Sequence, residues 1–543
     1  MRLVAPVLLL LLPGALAAHL HRRLKGQPAS LKQLAVFAVY TLILDAVLCG
    51  FKLLRGAALA NFWDWFSPPL SFSFYLAAAC FMALALPVLY ILITERRFAL
   101  RLMPDTQAAG GQPIVKWNAR RFLRVLLKMG AVLLAGILIG AILVTAAYTL
   151  PPKNIVQNVR KSAETVKDEG SYPFLYQNWR STRLDNFTDS IMLLLAAYEG
   201  DQGVIKNAML STYTRFADHD PAQGLVKWAT GDVSGIQTHS YSRYWHGYLV
   251  WLKPLLEVFE YRQIRVINTV LQILLVLAAL FVMLKKGWKR LTIPFLVMVL
   301  FLTPVALFKS FQFSWIYYVF MVSVLVLMLR FEKFKGNRSF YLLFLLTGMA
   351  TSFVDFLTYP LITLGVPLTI YLVLREHRTL RRCVLDVAAL SLAWGAGYVG
   401  MWAGKWALCS LLTDSNIFLS VGDNISSRMT FNYLEVTFTW KDVIQWNIEA
   451  YNHWIYMGPF WLCLAGYAVF FGRERIAILD RRLSVSAPWL AGVLAPLLLA
   501  ALIPFAWFFV ASNHTYIHYW YAHRTLAVSA LAALSLFARR PPR

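Results

Sequence analysis

The chain has 543 residues, with 52 Lys+Arg against 27 Asp+Glu and a formal net charge of +25. That excess suits a polyanion binder, yet 59% of the residues are hydrophobic, only 15% are charged and the mean hydropathy is +0.57, where soluble domains carry roughly 45–50% apolar and about 25% charged residues. Composition thus excludes a soluble nucleic-acid-binding protein and a disordered basic tail, and leaves a polytopic membrane protein.

A helix needs about 20 apolar residues to cross a bilayer. Taken in chain order, apolar runs predict spans over 3–18, 33–51, 70–94, 125–149, 264–284, 291–308, 314–329, 339–354, 358–374, 385–409, 454–471, 487–511 and 524–538. That makes thirteen, with short members that leave the count between 11 and 14. Lysines and arginines gather in every second connection, from Arg22, Arg23 and Lys25 through Arg96, Arg97 and Arg120, Lys285 and Arg290, Arg330 and Lys333, and Arg375 and Arg378, to Arg473, Arg482 and Arg539. The positive-inside rule makes these connections cytoplasmic, with the N-terminus outside and the C-terminus inside. They hold 31 of the 52 basic residues, so most of the net charge is an orientation signal. The first run imitates a signal peptide, but cleavage after it would place the basic 96–128 connection outside, so it reads as a retained span.

The predicted organisation is all-α. Four membrane helices occupy 1–149, a large, mostly helical extracytoplasmic loop 150–262, and further membrane helices 263–410. A second outer loop covers 411–453, and C-terminal membrane helices cover 454–543. The large loop carries 12 basic and 12 acidic residues. Helical spacing recurs over 188–198 and 202–216, and the aromatic-rich amphipathic stretch 241–261 suits a helix lying in the membrane interface.

Several chemistries leave no trace. Cys49, Cys80, Cys383, Cys409 and Cys463 lie in or beside apolar runs, without CxxC or zinc-ligand spacing. No Walker A lysine motif, GxGxxG after a strand or GxSxG elbow occurs. Asp45 is the only ionisable residue deep within a predicted span, which weighs against an ion-coupled transporter.

Four outer-face constellations carry candidate chemistry. In Arg180-Ser-Thr-Arg183-Leu-Asp185-Asn-Phe-Thr-Asp189, a helix would bring Asp185 and Asp189 to one face. One carboxylate would act as general base while Arg180 and Arg183 hold an anionic group. The competing reading is a helix start capped by Asp185 or Thr188. In His239-Ser-Tyr-Ser-Arg243-Tyr244-Trp245-His246, cations among aromatics either grip a lipid phosphate and stack on a sugar or form an interfacial belt. Asp355 stands in a tight turn between two predicted spans, as a functional acid or an ordinary turn residue. In the C-terminal stretch His514, His518 and Arg524 suit phosphate or sugar contact. The i, i+4 histidines lack an HExxH glutamate, so no metal site is assigned.

The plan of many helices, a large acid-bearing outer loop and polar groups gathered at one face resembles the GT-C class of integral-membrane glycosyltransferases. The strings Arg243-Tyr-Trp-His246-Gly-Tyr, Asp355-Phe-Leu-Thr-Tyr-Pro360 and Asn513-His514-Thr-Tyr-Ile-His518 are similar to those of bacterial polytopic proteins of cell-envelope glycan synthesis. The sequence departs from the class in two ways. The acid-bearing loop follows the fourth predicted span rather than the first, and Asp185 and Asp189 do not form a tight Asp-x-Asp pair.

The resemblance implies a multi-pass enzyme of a bacterial inner (plasma) membrane that moves a sugar from a polyprenyl-phosphate donor to an envelope glycan or lipid-linked acceptor. Its partners are that donor, that acceptor and the bilayer, with no nucleic acid. Asp185, or failing that Asp189, would be the base. Arg243, His246, His514, His518 or Arg524 would stabilise the leaving phosphate, and Tyr244, Trp245 and Trp520 would form a sugar platform. No cofactor is assigned, and a divalent cation is the alternative to the cationic side chains. An O-antigen-type ligase or polymerase shares this plan. A transporter or flippase of lipid-linked glycans is the alternative from another class, and a non-catalytic assembly subunit is a third.

Overall fold

A computed structural model describes residues 119–177, 179–334, 337–375, 380–413, 417, 421, 427–466 and 495–536. The predicted spans 3–18, 33–51 and 70–94 lie outside these residues. Four helices are long and apolar enough to cross a membrane: Leu123–Ala147, Tyr261–Lys285, Phe311–Lys333 and Cys383–Leu412. They correspond to the predicted spans 125–149, 264–284, 314–329 and 385–409. The predicted spans 339–354, 358–374 and 487–511 correspond to the shorter apolar helices Ser339–Val354, Ile362–Leu374 and Ala495–Val510. A further one, Trp454–Gly466, covers the described part of 454–471. The predicted 291–308 span is broken. Lys289–Phe301 ends at Thr303, whose φ is +53°, and a short turn of helix, Pro304–Leu307, follows. A β-branched residue in left-handed backbone, followed by a proline without an N–H, cannot continue a helix.

The chain divides into two units, Met1–Thr106 with Thr269–Leu296, and Gln107–Asn268 with Val297–Arg543. The described part of the first is 269–296, the end of one helix and the start of the next, joined by a turn at 286–288.

Within the second unit, residues 150–262 form a small helical assembly with a sheet. Pro152–Glu169 begins on a proline and ends at Gly170 with φ +76°, the usual helix-start and helix-stop residues. The Asn186–Ala197 helix brings Met192, Leu193 and Leu195, all fully buried, against Val159, Leu225, Tyr248 and Leu252. The predicted helix 202–216 is corrected. Val204–Leu210 is helical, but Ser211 turns the backbone left-handed (φ 49°) and Thr212–Phe216 is a strand. It pairs antiparallel with Ile236–Ser240, with Thr214 opposite Thr238. Between the strands, Pro221–Ala229 is opened by a capping box of Asp220 and Gln223. The interfacial helix expected over 241–261 is also corrected. There Leu249–Leu256 is helical and the next helix starts at Tyr261; Trp245 and Tyr248 are fully buried within the protein, while Trp251 is 50% exposed.

Buried charges clasp helix ends in this unit. Lys253 Nζ donates to the Ala196 carbonyl at 2.9 Å and Lys405 Nζ to that of Met209 at 2.7 Å, each supplying a cation where a helix leaves carbonyls unpaired. Asn337–Val354 and Leu380–Leu412 cross at glycines. A Cβ on Gly348 would strike the Trp394 carbonyl, and one on Gly397 the Leu345 carbonyl, the close backbone approach that small residues allow between membrane helices.

Candidate functional site

Asp185 is the N-cap of the Asn186–Ala197 helix, with non-helical backbone (φ −122°, ψ 66°) and a carboxylate oxygen accepting from the Thr188 N–H at 2.9 Å. The capping reading of the sequence therefore describes Asp185, and the two aspartates do not share one helix face. Asp185 is 2% exposed. Burial, reinforced by the Asp189 charge, raises its carboxyl to about 7 against the pull of the Thr188 bonds and Arg183.

Asp189 faces elsewhere. It accepts from the Tyr261 hydroxyl at 2.5 Å, from the N–H groups of Phe311 and Gln312 at 2.8 and 2.9 Å, and from Ser310 Oγ at 3.4 Å. Its lone pairs are occupied in capping the N-terminus of the Phe311–Arg330 helix. Tyr261 also accepts from Arg265, which pairs with Glu169 at 2.9 Å and donates to Asn186 Oδ1. A carboxylate enclosed by donors in this way has no room to take a proton from a substrate, so the expectation of Asp189 as an alternative base is corrected.

Beside Asp185, the Arg183 guanidinium lies between two rings, 4.5 Å from the centroid of Tyr172 and 4.6 Å from that of Trp520. Cation–π contact holds a guanidinium in place while using none of its N–H donors. Arg183 Nε, Trp520 Nε1 and His518 Nδ1 are all buried without a hydrogen-bond partner. The His518 ring packs 5.1 Å from Trp520 and stacks on Tyr521 at 5.2 Å. Buried polar groups are usually paired, and these three atoms share one cluster of rings.

A chain of contacts runs on from there. His514 lies 4.8 Å from His518, ring to ring. Its Nε2 is 2.6 Å from the Leu357 carbonyl and its Nδ1 is 3.0 Å from Arg428 Nη1. A carbonyl only accepts and a guanidinium only donates, so His514 carries its proton on Nε2 and is neutral. Burial and Arg428 lower its pKa to about 3. Leu357, at φ +67°, belongs to the turn that Asp355 closes by accepting from the Thr358 N–H at 2.9 Å, with the Tyr398 hydroxyl at 3.5 Å. Burial raises the Asp355 carboxyl to about 6. Asp355 thus fixes a turn, the turn fixes His514, and His514 orients Arg428.

Tyr244 packs edge-on to Tyr241 and Phe356, and Arg243 lies 4.8 Å over Tyr241 and 5.5 Å over Tyr244. Arg428 and Asp355 act electrostatically on the Tyr244 phenol, and Asp185, Arg428, Tyr244 and Tyr172 all act on that of Tyr521. His514 and His518 thus pack against Tyr521, Arg183 against Trp520 and Arg243 against Tyr244, with Asp185 beside Arg183 and Asp355 in the turn that holds His514.

Other expected residues do not join them as reagents. Trp245 is pinned by its indole N–H to the Met401 carbonyl at 2.6 Å, so it is no sugar platform. His246 has both ring nitrogens engaged, with the Tyr248 hydroxyl and the Tyr241 carbonyl, and burial lowers its pKa to about 3. It is a neutral turn residue at φ +53°, not a cation. Arg524 is fully buried and donates to the carbonyls of Leu302, Trp520 and Ser181, which makes it a tie between segments. Arg180 faces outward and pairs with Glu449 at 3.2 Å. Sequence reasoning passed over Arg428, which lies in a polar loop with no motif around it. The nearest signal was its placement in the outer loop predicted over 411–453.

Among the described residues no group of three or more His, Cys, Asp or Glu side chains is arranged to hold a metal ion. Comparison with protein-family models, with curated proteins and with solved structures gives no match.

Proposed function

We propose that the chain is an integral-membrane glycosyltransferase of the GT-C kind, with thirteen spans, an outside N-terminus and its site on the extracytoplasmic face. Nucleotide sugars are cytoplasmic, so a site on that face takes its sugar from a membrane-delivered donor, a polyprenyl-phosphate sugar. Asp185 removes the proton from an acceptor hydroxyl, and the acceptor oxygen bonds to the anomeric carbon. The bond from that carbon to the phosphate oxygen breaks, and polyprenyl phosphate leaves with inversion. Arg183 and Arg428 stabilise charge on the leaving phosphate as preorganised donors. A carboxyl near 7 suits a general base that works around neutral pH.

The observation that carries this reading is the juxtaposition of a buried carboxylate with a ring-clamped guanidinium whose Nε is unpartnered. The test offers purified protein a polyprenyl-phosphate sugar and a range of envelope acceptors. Asp185→Asn is expected to lower transfer by about 10²–10⁴-fold, and Asp355→Asn to lower it less. Unchanged transfer in both variants would overturn the site. Failure to consume any lipid-linked sugar would overturn the enzyme reading.

A further inference from the structure

Two segments adjoining this site carry half-buried aromatic rings. Tyr176 and Trp179 are 5.1 Å apart and the His453 ring lies 3.5 Å from Trp179. Trp446 and Tyr519 are 4.9 Å apart, with the Arg180 guanidinium 4.7 Å over Trp446. Arg180 also bonds Glu449 at 3.2 Å, and Gln445 donates to the other oxygen of Glu449 at 2.8 Å. The side chains of Arg180 and Glu449 are 42% and 40% exposed. The surface is therefore a set of half-buried rings with an exposed cation, carboxylate and amide among them.

Its position is set by the same chain that builds the site. Arg180 and Tyr519 belong to the outward surface, whereas Arg183 and Trp520, three residues and one residue further on, clamp each other inside. The short helical turn Arg180–Thr182 thus presents one arginine to each side.

We propose that this outward surface binds the acceptor glycan, an inference that rests on the glycosyltransferase reading. A pyranose has a face of C–H groups that packs on an aromatic ring and a rim of hydroxyls that both donate and accept. Trp446, Trp179 and Tyr519 supply the faces, Glu449 and Gln445 the acceptors, and Arg180 the donor. Lipid fits this surface poorly. An acyl chain would bury the Arg180–Glu449 pair without compensation, and a headgroup phosphate would meet the carboxylate of Glu449.

The experiment measures binding of oligosaccharides released from the source cell's own envelope to the full-length protein in detergent, by saturation-transfer NMR. It uses wild type, Trp446→Ala, Trp179→Ala and the milder Glu449→Gln, each checked for a monodisperse gel-filtration profile. Wild type is expected to bind, and each variant to lose about tenfold or more. In transfer assays the acceptor KM rises by the same factor, while kcat and the donor KM hold. No binding by wild type, or equal binding by all four proteins, overturns the platform. A change in vesicle partitioning with glycan binding intact overturns it in favour of a membrane anchor. Glycan binding without any transfer would sink the enzyme reading alone, and transfer with an unmoved acceptor KM would sink the platform alone.

Discussion

Asp185→Asn separates the chemistry of the site from its architecture. Asparagine caps a helix as well as aspartate does, so the bond from the Thr188 N–H survives and the Asn186–Ala197 helix keeps its start. What disappears is the buried charge. In the folded protein burial, with the Asp189 charge, raises the carboxyl from 3.8 to about 7. Between those values the folded state holds a proton that the unfolded state has released, so stability falls as pH rises from about 4 to about 7 and stays low above that. The shift of roughly three pKa units corresponds to a cost on the order of 4 kcal/mol at pH 8, which the asparagine variant does not bear. Thermal denaturation in detergent, followed by tryptophan fluorescence from pH 4 to 9, should give matching curves for the two proteins near pH 4. The variant should melt increasingly above wild type as pH rises, while its transfer activity is lost. Wild-type transfer should in turn fall with unit slope below about pH 7, as the base takes up its proton. A variant less stable than wild type at pH 8, or a gain that does not vanish at pH 4, would refute the account of a buried carboxylate stressed by its own charge.

Asp189→Ala leaves the N–H groups of Phe311 and Gln312 and the Tyr261 hydroxyl without their acceptor, at about 3–5 kcal/mol. Fluorescence-detected gel filtration should show a collapse in folded yield, with near-normal specific activity in whatever protein survives. Gly348→Ala, which drives a Cβ into the Trp394 carbonyl, should cost about 1–3 kcal/mol. Gly395→Ala, in the same helix pair but facing open space, should be neutral or stabilise by about 0.5–1 kcal/mol, and reversed melting shifts would discredit the crossing. Arg428→Gln removes the charged donor proposed to meet the leaving phosphate and should lower kcat by about 10²–10³-fold. His514→Phe should reproduce part of that loss by releasing Arg428, and a loss in KM alone would show that Arg428 only binds.

The membrane helices were legible because their signal is local and strong. The 264–284, 314–329 and 385–409 runs are long, apolar and ended by basic residues, and each is a helix long enough to span. Misreadings fell where a single backbone angle decides the outcome. The apolar spacing from Val204 to Phe216 looks continuous, but Ser211 at φ 49° and the β-branched Thr212 and Thr214 turn its second half into a strand. Likewise Thr303 at φ 53° divides the apolar run at 291–308. In the stretch 241–261 the aromatic pattern was real but its direction was not encoded locally. Whether Trp245 meets lipid or the Met401 carbonyl, 156 residues away, depends on a helix elsewhere in the chain.

The site posed a harder problem, because the residue types that do chemistry also fasten membrane helices together. Asp185 and Asp189 are the same residue four positions apart, in one helix start. One ends with all its acceptors occupied by the Phe311–Arg330 helix and the hydroxyl of Tyr261. The other keeps one short backbone bond and a neighbouring guanidinium held only by ring faces. Arg524 and Arg183 divide in the same way. The first spends its donors on the carbonyls of Leu302, Trp520 and Ser181, while the second leaves Nε unpaired. Burial is common to the tied and the untied groups, so burial does not distinguish them. What differs is the partner each group meets: helix N–H groups and carbonyls for Asp189 and Arg524, ring faces for Arg183. An unpaired polar atom in an apolar environment is expensive, and Arg183, His518 and Trp520 each carry one within a single cluster of rings.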